Sequence, residues 1–315
     1  MKYYVGITDL RWFQYLSKRN DDEVNFWRPR LKTNWGPIPE GAPFLFKLKS
    51  PNNSIVGGGY FVKHLVFPLS LVWSAFEQKN GSETREKFVE SISRLRNDED
   101  ELLSHDPRIG CTILSQPFFW PKEQWIQTPS QWPMSAVQGK TLDSEDAAMG
   151  QELWNQVLPK LSGVLVKSSA SPESFAATEH RERYGAPQLV KPRLGQGGFR
   201  MVVTEAYHRK CAITGEKTLP VLEAAHIKPY SKDGPHAVNN GLLLRSDLHT
   251  LFDQGYIGID EDFKVRVSLK IREEFENGRD YYAHQNQKLL IIPEGQIEQP
   301  SREYLKWHLK ERFLA

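Results

Sequence analysis

Between Cys211 and Ile259 the chain concentrates side chains able to handle a proton and a cation: Glu223 and His226 in LEAAHIKP, Asn240 in NNGLLL, and His249 and Asp253 in SDLHTLFDQG. A neutral imidazole can take a proton from water, and a divalent cation held by an imidazole and a carboxylate can neutralise phosphodiester oxygens. Together they can break a phosphodiester bond. His226 is the candidate base, because a strand end aims a side chain rigidly. His249 and Asp253 are the candidate metal ligands: four residues apart on a helix, they point the same way. An imidazole beside a carboxylate suits magnesium, manganese or zinc without selecting one. Asn240 is the candidate for holding the intervening loop, since asparagine bonds readily to nearby backbone.

These residues need a strand, a loop and a helix. The apolar run through Leu222 and Ile227 reads as a strand stopped by Pro229 and the Ser-Lys-Asp-Gly-Pro cluster. Leu242 to Leu244 follow, and then Ser246 or Asp247 is placed to cap a helix carrying Leu248, Leu251 and Phe252. Upstream, Arg200 to Arg209 reads as a helix delivering Cys211, with Gly195, Gly197 and Gly198 as a flexible loop before it. Downstream, FKVRVSL and KLLIIP read as strands and a last helix starts at Ser301.

The order AAHIKP, NNGLLL, DLHTLFD resembles the His-Asn-His (HNH) nuclease motif, a ββα-metal fold. The resemblance implies His226 as general base, Asn240 as the central asparagine, His249 as the closing histidine and Asp253 as a second helix-borne ligand. Many members carry an acid or a histidine just before the base; here Ala225 stands there, and Glu223 is the candidate substitute. Some members brace the motif with paired Cys-x-x-Cys, but Cys211 is followed at that spacing by Thr214, which excludes a four-thiolate zinc site. Taken singly, each signal has an ordinary explanation: a packed strand histidine, an Asn-Gly turn, a solvated i,i+4 pair. Their joint occurrence in this order carries the reading.

At 315 residues two domains are expected, and 39% hydrophobic with 25% charged residues is an ordinary globular composition. A net charge of +2 conceals a basic stretch near the motif, including Arg193, Arg200, Arg209, Lys210 and Lys228, as a surface meeting phosphates requires. The 2 cysteines, Cys111 and Cys211, are far apart. With no signal-like or membrane-length apolar run, they point to a reducing cytoplasm. Gly57 to Gly59 lacks the spacing of a nucleotide cradle, so no nucleotide cofactor is expected; a bulge or a close backbone approach explains those glycines.

The front part reads as mixed strands and helices: a strand at Tyr3 to Ile7, a helix capped by Asp9, an aperiodic aromatic loop from Val24 to Gly41, and strands at PFLFKLK, SIVGGGYFVKHLVF and IGCTIL. A final helix is expected from Asp143 to Leu161. The opening Tyr-Tyr-Val-Gly, the Asn-Phe-Trp segment, Phe-Leu-Phe and Ile-Val-Gly-Gly-Gly resemble the EVE domains of the PUA superfamily, whose members bind modified bases. The resemblance implies an α+β chain: a PUA/EVE-like mixed β-barrel over 1–161, a linker over 162–180, and the ββα-metal nuclease domain over 181–315. Fused in this way, the pair resembles modification-dependent restriction enzymes.

The expected partner is then double-stranded DNA carrying a modified base, 5-methylcytosine or 5-hydroxymethylcytosine, cut by a homodimer or by chains pairing transiently on DNA, because one site per chain faces two strands. Reading one base requires extruding it between apolar walls with polar groups on its edge. Trp12, Trp27 and Trp35 are the candidate walls and Asn25 the edge contact. Two other readings stay open: an HNH-fold DNA-binding module without cleavage, and a nuclease whose front domain reads RNA or a protein partner.

Overall fold

The computed structural model describes residues 1–29, 38–96, 106–133, 136, 138–145, 149–168, 189 and 193–315, with no description of the side chains of 162–168. They form two compact units, Met1–Leu69 with Phe76–Arg193, and Ser70–Ala75 with Leu194–Ala315. Among the described residues no helix is long and apolar enough to cross a membrane.

The first unit is built on one mixed sheet of seven strands: β1 (Lys2–Thr8), β2 (Glu23–Arg28), β3 (Pro43–Leu48), β4 (Ser54–Pro68), β5 (Arg108–Phe119), β6 (Ile126–Gln127) and β7 (Gly139–Asp143). The order is β2-β5-β4-β3-β1-β7, with β6 on β4. Only β1 and β3 run parallel. Side chains alternate across β1, so Tyr3 and Val5 pack with Leu153, Trp154 and Val157 on one face, and Tyr4 packs with Phe26, Phe44 and Phe46 on the other. Helix α1 (Leu10–Leu16) is started by Asp9, whose carboxylate accepts from the Trp12 amide at 2.9 Å. In chain order helices α2 (Leu69–Phe76), whose residues Ser70–Ala75 belong to the second unit, α3 (Arg85–Leu95) and α4 (Met149–Ser168) follow. The glycine run serves close approach: a Cβ on Gly57 would lie 2.2 Å from the Phe118 carbonyl oxygen, and one on Gly58 2.6 Å from that of Phe44.

Four expectations for this unit are corrected. The sheet is open rather than a closed barrel, because its end strands β2 and β7 do not pair among the described residues. The aromatic stretch expected as loop contains β2: Val24 and Phe26 fill the core while Glu23 and Asn25 are buried too, so the strand shows no polar alternation. The helix expected from Asp143 is preceded by edge strand β7, in which only Leu142 is buried, too little for an apolar pattern. Helix α4 then runs to Ser168, past the expected end at Leu161.

The second unit holds α5 (Gln196–Ala206), the hairpin β8 (Leu222–His226) and β9 (Gly241–Arg245), α6 (Ser246–Asp253), and the hairpin β10 (Ile257–Ile259) and β11 (Val265–Val267). Helices α7 (Lys270–Phe275), α8 (Arg279–Tyr282) and α9 (Arg302–Glu311) complete it. β8 and β9 pair antiparallel from Leu222↔Arg245 to His226↔Gly241. Leu242, Leu243 and Leu244 are all buried in a core shared with Phe199, Val203, Leu248, Phe252 and Leu305.

Here too the structure corrects local expectations. Gly197 and Gly198 are buried inside α5 rather than in a loop. Neither Ser246 nor Asp247 caps α6; Arg245 occupies the cap position and its guanidinium grips Asp247 at 2.6 and 2.7 Å. KLLIIP forms no strand, because the Leu290 and Ile291 amides both donate to one carbonyl, that of Ala212, leaving only an isolated bridge at Lys288.

Candidate active site

His226 closes β8, where the hairpin holds its backbone against Gly241. Its ring lies flat on Phe199 of α5, centroids 3.8 Å apart and planes 13° apart. Its Nε2 is 2.9 Å from Nδ1 of His236. Burial first, and His236 second, push the imidazole down to about 4, so it is neutral at physiological pH. Its Nδ1 has no hydrogen-bond partner among the described residues. A rigid, neutral imidazole with one free nitrogen is what a general base requires.

Asn240 stands just before β9 and is fully buried. Its side-chain oxygen accepts from the Lys228 amide, and its amide donates to the carbonyls of Lys228 and Pro235, each at 2.9 Å. Its own carbonyl accepts from Ile227 at 2.9 Å. One side chain thus ties both ends of the β8–β9 loop, and the strand end carrying His226 is fixed by it.

On α6, His249 is bracketed by two carboxylates. Glu223 Oε2 lies 2.6 Å from its Nδ1, and Asp253 Oδ2 3.3 Å from its Nε2. Burial lowers the His249 pKa, but hydrogen bonds and charge from Asp253 and Glu223 outweigh it and the net shift is upward. With His226, these residues line a cleft of about 410 Å³ whose other walls include Arg200, Tyr230 and Arg312. Burial also makes the Arg200 guanidinium costlier to charge, an effect that Glu223 opposes.

Among the described residues no group of three His, Cys, Asp or Glu is disposed to hold a metal ion. Glu223 and Asp253 sit on different nitrogens of one ring and do not face a common point. The donor chemistry of the Asp253 carboxylate and His249 Nε2, one turn apart at the cleft wall, nevertheless fits a divalent cation. A carboxylate on the far nitrogen is the usual way to orient a metal-binding imidazole.

The structure therefore brings Glu223, His226, His249 and Asp253 to one cleft, while Asn240 is buried outside its lining and bonded to the loop that follows His226. His236, Phe199 and Arg312 were not singled out from the sequence, and Arg200 only as one of the basic residues near the motif. His236 has the one retrievable signal, a second imidazole in the loop that the motif's asparagine closes.

A separate cavity of about 270 Å³ lies in the first unit, lined by Trp12, Phe26, Trp27, Arg28 and Gln138 among others. Trp12 is chiefly core, 5% exposed and edge-on to Phe26 and Phe46. Trp27 is anchored by its indole N–H to the Asn80 carbonyl at 2.9 Å and meets Phe88 edge-on. Asn25 does not line the cavity: it is buried, donating to Asn80 Oδ1 at 2.8 Å. Trp35 lies outside the described residues. The polar residues at the wall are instead Thr8, Asp9, Lys49, Arg28 and Gln138, the last two hydrogen-bonded to each other at 2.9 Å.

No curated protein matches the chain. Among solved structures, one named "Modification dependent TagI restriction endonuclease" aligns at 14% identity over 96% of this chain and 79% of that one, with a TM-score of 0.27. A likeness of that degree fixes neither fold nor activity. Residues 211–260 match the family model described as HNH endonuclease. That span holds Glu223, His226, Asn240, His249 and Asp253, so the candidate base, loop asparagine and metal ligands all lie in the part of the chain that carries the HNH endonuclease pattern, while Phe199, Arg200 and Arg312 of the cleft lie outside it.

Proposed function

We propose that this chain is a metal-dependent DNA endonuclease whose second unit hydrolyses phosphodiester bonds and whose first unit recognises a modified cytosine, 5-methyl or 5-hydroxymethyl. The observation that carries the nuclease reading is the cleft that joins a neutral, rigid His226 to the His249–Asp253 pair within the matched span.

His226 takes a proton from water through Nδ1 as the water oxygen bonds to phosphorus. The bond from phosphorus to the leaving oxygen then breaks, and that oxygen is protonated from solvent. Arg200 and Arg312 at the cleft wall offset phosphate charge. His249 and Asp253 would hold the divalent cation, magnesium or manganese with zinc compatible, while Glu223 orients His249 through Nδ1. Such a cation, when bound, stabilises negative charge on the phosphate oxygens. Asn240 keeps the base in place.

For the first unit, the support is a cavity with aromatic walls and a polar edge. Its size lies just below the usual range of roughly 300 to 1,000 Å³ for ligand pockets, as suits a single base. Trp27 would supply a wall, and Arg28 with Gln138 the polar edge.

Purified protein with magnesium or manganese should nick plasmid carrying 5-methylcytosine or 5-hydroxymethylcytosine and spare unmodified plasmid. Equal cutting of both removes the recognition claim; no cutting with any metal leaves a DNA-binding module. His226→Ala should lower the cutting rate about 10²- to 10⁴-fold with DNA binding retained. A variant that cuts at the wild-type rate ends the assignment of the base.

A further inference from the structure

An imidazole that abstracts a proton through Nδ1 must carry its own proton on Nε2, and nothing in the ring itself guarantees this. In the neutral form one nitrogen is a donor and the other an acceptor, and the partner of the non-reacting nitrogen selects between the two tautomers. For His226 that partner is not a backbone carbonyl but Nδ1 of His236, at 2.9 Å. A histidine nitrogen can either donate or accept, so two arrangements are open to the pair. If His236 donates, Nε2 of His226 is consumed as an acceptor and Nδ1 carries the proton, which leaves no lone pair facing the water. If His236 accepts, Nε2–H of His226 is fixed and Nδ1 is free.

We propose that His236 is a positioning residue for cleavage: its Nδ1 accepts the Nε2–H of His226 and so locks His226 in the tautomer whose Nδ1 is basic. Three features of the surroundings hold His236 to this task. Its ring is stacked on Tyr230, centroids 4.8 Å apart and planes 14° apart. Its plane is inclined at 66° to that of His226 with centroids 4.9 Å apart, so the two imidazoles are not stacked and meet through Nε2 and Nδ1 at 2.9 Å. The preceding residue, Pro235, has its carbonyl tied by Asn240 at 2.9 Å, so the asparagine that closes the loop also sets the position of His236. Phe199 covers the face of His226 and leaves its two ring nitrogens as the only polar points. When His226 takes up the water's proton at Nδ1, its Nε2–H still points at the acceptor on His236, so the cation that forms keeps a hydrogen bond it already had and needs no rearrangement.

The inference rests on His226 being the base, and its test has an arm that needs no cleavage. Long-range ¹H–¹⁵N spectra of the full chain at pH 7.5, assigned with His226→Gln and His236→Asn, report the protonated nitrogen of each ring directly. The expected result is Nε2–H on both His226 and His236. Finding His226 as Nδ1–H overturns the proposal, whatever the protein cuts. In the activity arm, His236→Phe removes the acceptor but keeps a ring against Tyr230, and should lower the cutting rate on the order of 10- to 100-fold, as loss of an outer orienting partner does. His236→Asn places an acceptor oxygen near the position of Nδ1 and should recover a substantial part of that loss, with His226 returned to Nε2–H. Equal losses in the two variants, both folded by their amide spectra, also overturn it. Should His236→Phe fail to fold, the wild-type spectrum and the Asn variant decide.

Discussion

The two units use their polar and aromatic side chains in opposite ways. In the first, groups that look free in the sequence are engaged inside the structure: the Asn25 amide nitrogen by Asn80, Glu23 by Lys79, Trp12 by Phe26 and Phe46. In the second, the polar side chains of β8 and α6 converge on one cleft while the apolar ones go to the core. A buried polar group must be paired by its own protein, whereas a cleft wall can keep donors and acceptors for a substrate. The lesson concerns aromatic residues most: a tryptophan gives no sign of which side of that division it occupies.

Breaking the contrast in the first unit should give the largest effect on stability. Trp12→Ala removes a core ring and should cost about 3 to 5 kcal/mol, read as a lowered denaturation midpoint. Trp27→Ala, by contrast, should lower discrimination between modified and plain DNA by about 1 to 3 kcal/mol, the worth of one stacking face, measured by competitive binding. Undiminished discrimination would return Trp27 to the core as well.

In the second unit, Asn240→Ala strips three hydrogen bonds from a buried loop and should cost roughly 2 to 3 kcal/mol in chemical denaturation. A loss below about 0.5 kcal/mol would mean that the loop is held by other contacts.

The last effect is a dependence on acid, absent at neutral pH. His308 is buried against Phe252, with its Nε2–H donating to the Phe252 carbonyl at 3.0 Å and its Nδ1 without a partner among the described residues. Burial pushes it down to about 4. The unfolded chain then binds more protons between pH 6.5 and 4, so stability is full above 6.5 and falls as pH drops through that window, by at most roughly 3 kcal/mol. His308→Gln should flatten that acid slope in urea unfolding measured from pH 7 to 4.5; an unchanged slope assigns it elsewhere. In the first unit His64, pushed to about 4 by burial and then by Arg28, contributes with the same sign.

The motif was readable because its parts are local. His249 and Asp253 share a face through helical spacing alone, and the apolar runs around His226 and Asn240 announce the hairpin. β2 and β7 were not readable, for opposite reasons: β2 is covered on both faces and shows no alternation, and β7 is an edge with a single buried residue. Arg28 and Gln138 could not be paired from the sequence, since they lie on segments that meet only when the sheet forms.

By itself the sequence determined which residue types do the chemistry in the second unit, because spacing along one turn and one hairpin fixes their relative directions before any long-range contact is made. Only the tertiary structure decided which nitrogens are left free. Glu223 reaches His249 because β8 packs on α6, and His236 reaches His226 because the loop is folded back over Asn240. Hydrogen bonding depends on distances of about 3 Å, and a chain's order does not set distances between elements that meet through packing.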